Sequence, residues 1–456
     1  MKITIIGAAG VRTPLIVKAM LAHQDRLCLG ELTLMDIDGE RLDLIGALTS
    51  PIEQSSSTKF RITRTTDARI ALLGADFVIT TFRVGGIESR VIDERVPLNH
   101  GILGQETTGP GGFAMGIRSI PVVLDYVNMM EDVCPNAWLI NFANPAGMLT
   151  EAVIRHTKWQ RVVGICDAPT SMHQVISGML GANPEEVYLD YFGLNHLGWI
   201  KKIIYDNQDQ LPELIQILKS TGTVPGLPFN PDLVVSLGMI PNEYLYYYYY
   251  AIEAVKNILK ASESRGEQIA RQNIQLFAEL KDKFGAQDFD GMQASYQAYL
   301  DMRGSTYMEK ETGKPHDLSS IDPKILKSLS DEGYAGVALN LVEALNGHKP
   351  MMQILNIPNQ GAIQDMDDQD VVEIPTMVSH DHIHPLVVGK LPSHCMGLMK
   401  QVKNFEHLTI EAAVERSYQK ARLALTIHPL VRDYTIAGFI LDEYISKHHG
   451  YFPIFQ

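Results

Sequence analysis

Short apolar runs, most of them closed by glycine, asparagine or an acid, recur along the first 165 residues. "KITIIG", "ELTLMDID", "KFRIT", "ADFVITTF", "NAWLINFANP" and "RVVGICD" read as strands. Several are apolar throughout, the pattern of strands buried on both faces. Between them lie segments with helical periodicity, among them "TPLIVKAMLAH", with Pro14 near its first turn, and "GERLDLIGALTS". Proline is tolerated there because its missing N–H is one of the unpaired donors of a helix start.

Strands alternating with helices imply a parallel sheet covered on both sides. The expected fold is therefore α/β: a Rossmann-like, doubly wound parallel sheet of the lactate/malate dehydrogenase-like kind. The alternation fades after Asp167, and "EVYLDYFGLNHLGWIKKIIYD" resembles antiparallel strand material. The remainder of the chain is mainly helical in pattern, with later strand-like runs "MMQILNIPN" and "VVEIPTMVS". The pattern predicts an NAD-binding domain over 1–165 and a mixed α+β, mainly helical domain over 166–456. The long stretch "RVGGIESRVIDERVPLNHGILGQETTGPGGF" after the fourth strand is expected to be a site-forming loop, since long connections at strand ends seldom lack a role.

Composition narrows the classes. A net charge of −14, with 39 basic against 53 acidic residues, and the lack of a basic stripe argue against a nucleic-acid partner. No apolar run is long enough to predict a membrane span. The opening "MKITIIGAAG" reads as a strand and turn rather than a leader. Four cysteines without paired spacing predict a reducing, cytoplasmic setting.

Gly7, Ala8, Ala9 and Gly10 lie between the first strand and first helix, where backbone amides can meet a pyrophosphate. The G-x-G-x-x-G fingerprint is not met, because Ala9 and Arg12 occupy its second and third glycine positions. Asp36, at the end of the second strand, is placed to accept from an adenosine ribose. A glycine turn followed by a capping acid would look the same, but the order strand, turn, helix, strand, acid predicts a dinucleotide.

Other polar residues follow strand ends, where ligands of open α/β sheets collect. Arg83 and Arg90 follow the fourth strand, Asn144 and Pro145 the fifth, and Cys166 and Asp167 the sixth. Thirty residues after Cys166 comes His196 in "YFGLNHLGW". A thiolate and an imidazole are plausible partners for a divalent transition metal. A buried cysteine and a satisfied core histidine are the plainer alternative.

The combination of "GICDAP", "FGLNH", "NFANPAGMLTEAV" and "RVGG…SRVIDERVPLNHG…GQETTGPGG" resembles glycoside hydrolase family 4. The likeness spans nearly the whole chain and includes "RGSTY" and "LTIEAAVERSYQKARLALTIHPLV". It is greatest for the 6-phospho-β-glucosidase branch. The NAD-dependent members of this family stand apart from the two-carboxylate scheme of other glycosidases. The resemblance implies hydrolysis of 6-phospho-β-glucosides by oxidation at C3, loss of the C2 proton, elimination, water addition and reduction. It implies NAD and a divalent metal, Mn²⁺ being expected, and a homodimer or homotetramer. The substrate would be a phosphorylated disaccharide or an aryl 6-phosphoglucoside. By position it implies Cys166 and His196 as metal ligands, Asn144, Arg90 and Arg265 as substrate-binding residues, and Tyr244 of "PNEYLYYYYY" as catalytic base.

Two departures stand out. The turn "GAAGVRTP" replaces the family's more usual run of glycines. Asp167 follows the cysteine where β-acting members usually carry asparagine; aspartate there is typical of 6-phospho-α-glucosidases, in which it would protonate the leaving oxygen. An α-linked substrate by the same mechanism is therefore the alternative, and a net 2-hydroxy-acid dehydrogenase is another on the same fold. The histidines of "SHDHIHP" are expected in a polar loop or pocket wall, and His428 beside a helix end.

Overall fold

The computed structural model describes residues 1–55, 57–222, 226–315, 321, 333–347 and 349–456. Six parallel strands form its centre: β1 (Lys2–Ile6), β2 (Glu31–Met35), β3 (Arg61–Thr65), β4 (Phe77–Thr80), β5 (Trp138–Asn141) and β6 (Val162–Gly164). They lie side by side as β3-β2-β1-β4-β5-β6, the doubly wound order whose reversal beside β1 makes the crevice for a dinucleotide. The strands are connected through α1 (Thr13–Leu27), α2 (Gly39–Glu53), α3 (Ala68–Leu72), α4 (Gly86–Asn99), α5 (Pro110–Val133) and α6 (Ala146–His156), and α7 (Asp167–Met179) leaves β6. Apolar side chains of β1, β4 and β5 are almost wholly buried, as expected of strands covered by helices on both faces.

The hairpin of β7 (Tyr188–Leu194) and β8 (Leu197–Tyr205) anchors a second, four-stranded sheet with β9 (Gln208–Asp209) and β10 (Ile240–Pro241). Three later strands then return to the first sheet. β11 (Met351–Pro358) lies against β6, and β12 (Val371–Ser379) and β13 (His382–Pro385) continue outward, all antiparallel. Among the described residues the central sheet thus has nine strands, three of them from beyond residue 165.

The stretch expected to be a loop after β4 is largely helical, which corrects that expectation. α4 occupies Gly86–Asn99, where Arg90 and Glu94 form an i,i+4 ion pair on its inner side. Pairs at that spacing meet one turn apart and favour the helix. Beneath it, Arg118 of α5 makes a bidentate ion pair with Asp93 at 2.7 Å, joined by His448 at 2.9 Å. Only 83–85 and 100–109 of it lie outside helices. A Cβ at Gly104 would lie 1.9 Å from the Glu94 carbonyl oxygen of α4, and one at Gly111 of α5 1.8 Å from that of Gln105, so this loop packs between the two helices only with glycine at both positions.

At the start of β12, Glu151 of α6 accepts from the Val371 N–H at 3.0 Å and pairs with Lys403 at 2.6 Å. His407 lies 2.6 Å from Glu151 and 3.0 Å from Asp370, with Arg155 bonded to the same two carboxylates. Two basic side chains besides the imidazole occupy this acidic group, so it is an ionic clamp rather than a cation site.

Candidate functional site

The β1–α1 turn lies at the strand-order reversal. Gly7 has φ +95° and its Cα backs onto Phe82, whose nitrogen would be 2.4 Å from any Cβ there. Its N–H and that of Ala8 both donate to the Met35 carbonyl. Asp36 accepts from the Ala9 N–H at 2.9 Å and from Asp38 N–H at 3.1 Å, which fixes the carboxylate at the end of β2. Gly10 is exposed, and α1 begins with no side-chain cap. An open helix start beside a fixed, partly exposed carboxylate suits a dinucleotide's pyrophosphate and ribose.

A second group gathers around the β7–β8 turn. His196 occupies that turn at φ +61° and its ring lies against Tyr244, centroids 3.7 Å apart and planes 10° from parallel. Thr107 fixes the imidazole by a 2.8 Å hydrogen bond with Nδ1, leaving Nε2 as the nitrogen for a metal. Tyr244 sits in the 3-10 turn Glu243–Leu245, whose entry is capped by Asn242. Cys166 is the residue before α7, with its Sγ 4.0 Å from an Asp167 carboxylate oxygen. Asn144 follows β5 in a cis Asn144-Pro145 linkage. Its loop is held to the histidine turn because Asn195 accepts from the Ala146 N–H at 3.1 Å.

Electrostatics tie these residues together. Burial, then the charges of Glu243, Cys166, Asp167 and Glu106, push the Tyr244 hydroxyl well above the ordinary phenol range. Burial, with Glu373 and Asp167 nearby, does the same to the Cys166 thiol. Burial draws His196 down to about 4, so the imidazole is neutral and able to coordinate. Glu373 of β12 accepts from Tyr191, Asn195 and Asn356, and burial raises it to about 7. Thiol and imidazole donors, set near the acids Glu243 and Glu373, which accept from neutral groups, fit a divalent cation.

Arginines form the third group. Arg90 bonds Glu94 at 2.8 Å and Glu106 at 2.6 Å, and Arg83 also binds Glu106. Arg265 donates to Gln268, Thr306 and the Arg303 carbonyl. Burial, then the neighbouring charges of Arg90 and Arg303, lower the Arg265 guanidinium. Three buried guanidiniums near enough to repel one another suit a polyanionic group such as a phosphate. Glu106 joins this group to His196 and Tyr244, on both of which its charge acts.

Gly7, Ala8, Ala9, Gly10 and Asp36 are thus one cluster, and Cys166, Asp167, His196 and Tyr244 another, with Arg90 and Arg265 beside it and Asn144 on an adjoining turn. His382 and His384 lie exposed on β13 and stand apart from it. His428 packs at the end of helix Tyr418–Ile427, as expected, and burial lowers it to about 3. Residues that the sequence pattern did not single out are Glu106, Glu243, Arg303 and Glu373. A lone carboxylate inside the otherwise apolar "VVEIP" was the one signal for Glu373.

The sequence model described as "Family 4 glycosyl hydrolase" matches residues 2–182, and that of the "Family 4 glycosyl hydrolase C-terminal domain" matches residues 191–431. The chain belongs to glycosyl hydrolase family 4. It is a glycosidase. Among relatives, a probable 6-phospho-β-glucosidase of Bacillus subtilis (strain 168) is 34% identical over 466 residues, covering 100% of this chain and 98% of the relative. The structure of the 6-phospho-β-glucosidase from Thermotoga maritima with manganese, NAD⁺ and glucose-6-phosphate matches with a TM-score of 0.82 at 28% identity, covering 99% of each chain. A 6-phospho-α-glucosidase from gut microorganisms in complex with NAD and Mn²⁺ matches with a TM-score of 0.83 at 26% identity, covering 100% of this chain and 99% of that one. The resemblance carried by the motifs is borne out at the level of family, fold and enzyme class. Among the described residues, no helix is long and apolar enough to cross a membrane.

Proposed function

We propose that this glycosidase hydrolyses 6-phospho-β-glucosides to glucose 6-phosphate and an alcohol, with NAD at the β1–α1 turn and Mn²⁺ at Cys166 and His196. The observation that carries the reading is the His196–Tyr244 stack with Cys166 and Asp167 close enough to act on it. When bound, NAD supplies a hydride acceptor that is restored each turnover, and the metal supplies a Lewis acid for sugar oxygens. Gly7, Ala8, Ala9 and Gly10 present the helix start to the pyrophosphate, and Asp36 holds the ribose.

The chain's own side chains then divide the work. Arg90 holds the phosphate through a planar fork already oriented by Glu94 and Glu106, and Arg265 adds positive charge beside it. Asn144 hydrogen-bonds the sugar. Tyr244 takes the C2 proton, its ring held in one plane by His196. A phenol among carboxylates is a poor base, so Tyr244 needs cationic charge next to it to ionise. Asp167 gives its proton to the leaving oxygen. The setting is cytoplasmic, where phosphorylated sugars are retained, and the active form is a homodimer or homotetramer.

The discriminating assay compares nitrophenyl 6-phospho-α- and 6-phospho-β-glucosides with NAD⁺, Mn²⁺ and reductant. Release from the β-substrate, lost on chelation and without net NADH, is expected. Preference for the α-substrate would mean that Asp167, the residue that favours the second reading, sets the linkage. NADH accumulation without nitrophenol release would instead mark a dehydrogenase.

A further inference from the structure

Pro97 lies inside α4. A proline there has no N–H for the carbonyl four residues back, and its ring presses against that carbonyl. The carbonyl belongs to Asp93, a residue fully enclosed in the protein, so water cannot replace the missing donor. Tyr444 does so instead: its hydroxyl donates to the Asp93 carbonyl oxygen at 2.8 Å. Tyr444 belongs to helix Tyr434–Lys447, which packs on α4 and also holds it beyond the proline. There Glu443 lies 3.0 Å from His100 and accepts from Asn99 at 3.2 Å.

The turn of α4 just before Pro97 carries the arginine read as holding phosphate. Arg90 donates to one oxygen of Glu94 at 2.8 Å, and the other oxygen accepts from the Gly266 N–H at 2.6 Å. Gly266 follows Arg265 at the start of helix Arg265–Gly285. One carboxylate therefore ties the backbone beside Arg265 to the Arg90 side chain. It stands next in sequence to the carbonyl that Tyr444 holds. Helices bend at proline, and a bend opening at Asp93 would carry Glu94 with it and change how the two arginines face each other.

We infer that Tyr444 is a positioning residue for the substrate phosphate: by donating to the carbonyl that Pro97 leaves without its helical partner, it fixes turn 90–94 and so the spacing of Arg90 from Arg265. The inference rests on the reading of those arginines as the phosphate's partners. Tyr444 is itself wholly enclosed and acts through α4, not by contact with the sugar. The phosphate is remote from the carbons where bonds change, so the effect belongs to binding more than to chemistry.

The test measures glucose 6-phosphate binding by calorimetry, in enzyme loaded with NAD⁺ and Mn²⁺, beside steady-state kinetics on the phosphorylated nitrophenyl glucoside. Tyr444→Phe keeps the ring and removes the donor. The dissociation constant of glucose 6-phosphate and the KM should each rise about five- to tenfold. Turnover at saturation and the NAD⁺ dissociation constant should stay within about twofold. Pro97→Ala restores an N–H to the Asp93 carbonyl, so Pro97→Ala/Tyr444→Phe should bind glucose 6-phosphate within about twofold of the parent. A loss that persists undiminished in the double variant would overturn the inference, as would an equal loss of NAD⁺ affinity in Tyr444→Phe. Unchanged glucose 6-phosphate affinity in Tyr444→Phe, with affinity lost in Arg90→Lys, would overturn it alone. Unchanged affinity in both would overturn it together with the phosphate reading of Arg90.

Discussion

His196 and Tyr244 lie face to face, their ring centroids 3.7 Å apart, with Thr107 anchoring the imidazole at its edge through Nδ1 at 2.8 Å. The stack and the phenol are separable. Tyr244→Phe keeps the ring contact and removes the proton acceptor, so kcat should fall about 10²- to 10⁴-fold while the thermal midpoint stays near that of the parent. Solvent deuterium exchange at C2 should be lost in the same variant. Exchange at the parental rate would exclude Tyr244 as the base.

Arg90 is bound on both sides by carboxylates, Glu94 and Glu106. Arg90→Lys keeps the charge but loses the fork, and it should raise KM for phosphorylated substrate by roughly tenfold or more. Arg90→Ala leaves two buried carboxylates without that partner and should also cost about 3 to 5 kcal/mol of stability, read by urea denaturation. An unchanged KM in the lysine variant would place the phosphate elsewhere.

The proposed ligation by Cys166 and His196 predicts strict metal dependence. Chelation should abolish turnover and Mn²⁺ should restore it. In Cys166→Ser the Mn²⁺ concentration for half-activation should rise about 10- to 100-fold, since the serine hydroxyl is a harder and weaker ligand. Titration of half-activation at fixed NAD⁺ measures this. Parental Mn²⁺ affinity in the variant would remove Cys166 from the coordination sphere.

His407 gives a pH signature distant from the chemistry. Hydrogen bonds and charge from Asp370 and Glu151, against an opposing effect of burial, raise it to about 9 from an ordinary 6.5. A folded-state value above the unfolded one means that its contribution to stability is complete below about pH 6.5 and is lost as the pH rises through 9. Glu151 is lowered by Lys403 and His407 despite its burial, so its contribution is lost instead as the pH falls below the ordinary carboxylate range. Thermal midpoints recorded from pH 5 to 10 should decline on the alkaline side, and His407→Gln should flatten that decline. An equally steep decline in the variant would assign it to other groups.

Much of this arrangement is legible in the residue pattern because it is local. The run "KITIIG" followed by "TPLIVKAMLAH" specifies strand, turn and helix without reference to the rest of the chain. The order of the six parallel strands comes from their doubly wound connection. The pairing of β11 with β6 is not local: Asn356 meets Gly164, and no periodicity at either position reveals the other. For the same reason the motifs identified Cys166, His196 and Tyr244, while Glu373 went unnoticed: it reaches them only through the folded-back β12. α4 was missed for a different reason. Its glycine-rich flanks at Gly85–Gly86 and Gly101–Gly112 resemble a loop, whereas the Asp93–Arg118 pair that fixes its inner face forms only when α5 lies beneath it.

The return of β11 to β6 also constrains how the chain can be made. A ribosome releases β6 long before β11, and at ordinary synthesis rates the interval is roughly 10 to 40 s. Throughout that time a buried-type strand presents an unpaired edge, the kind of surface on which nascent chains pair wrongly. The six-stranded half is therefore a sheet waiting for its border, which makes its early history a problem for chaperones as much as for thermodynamics.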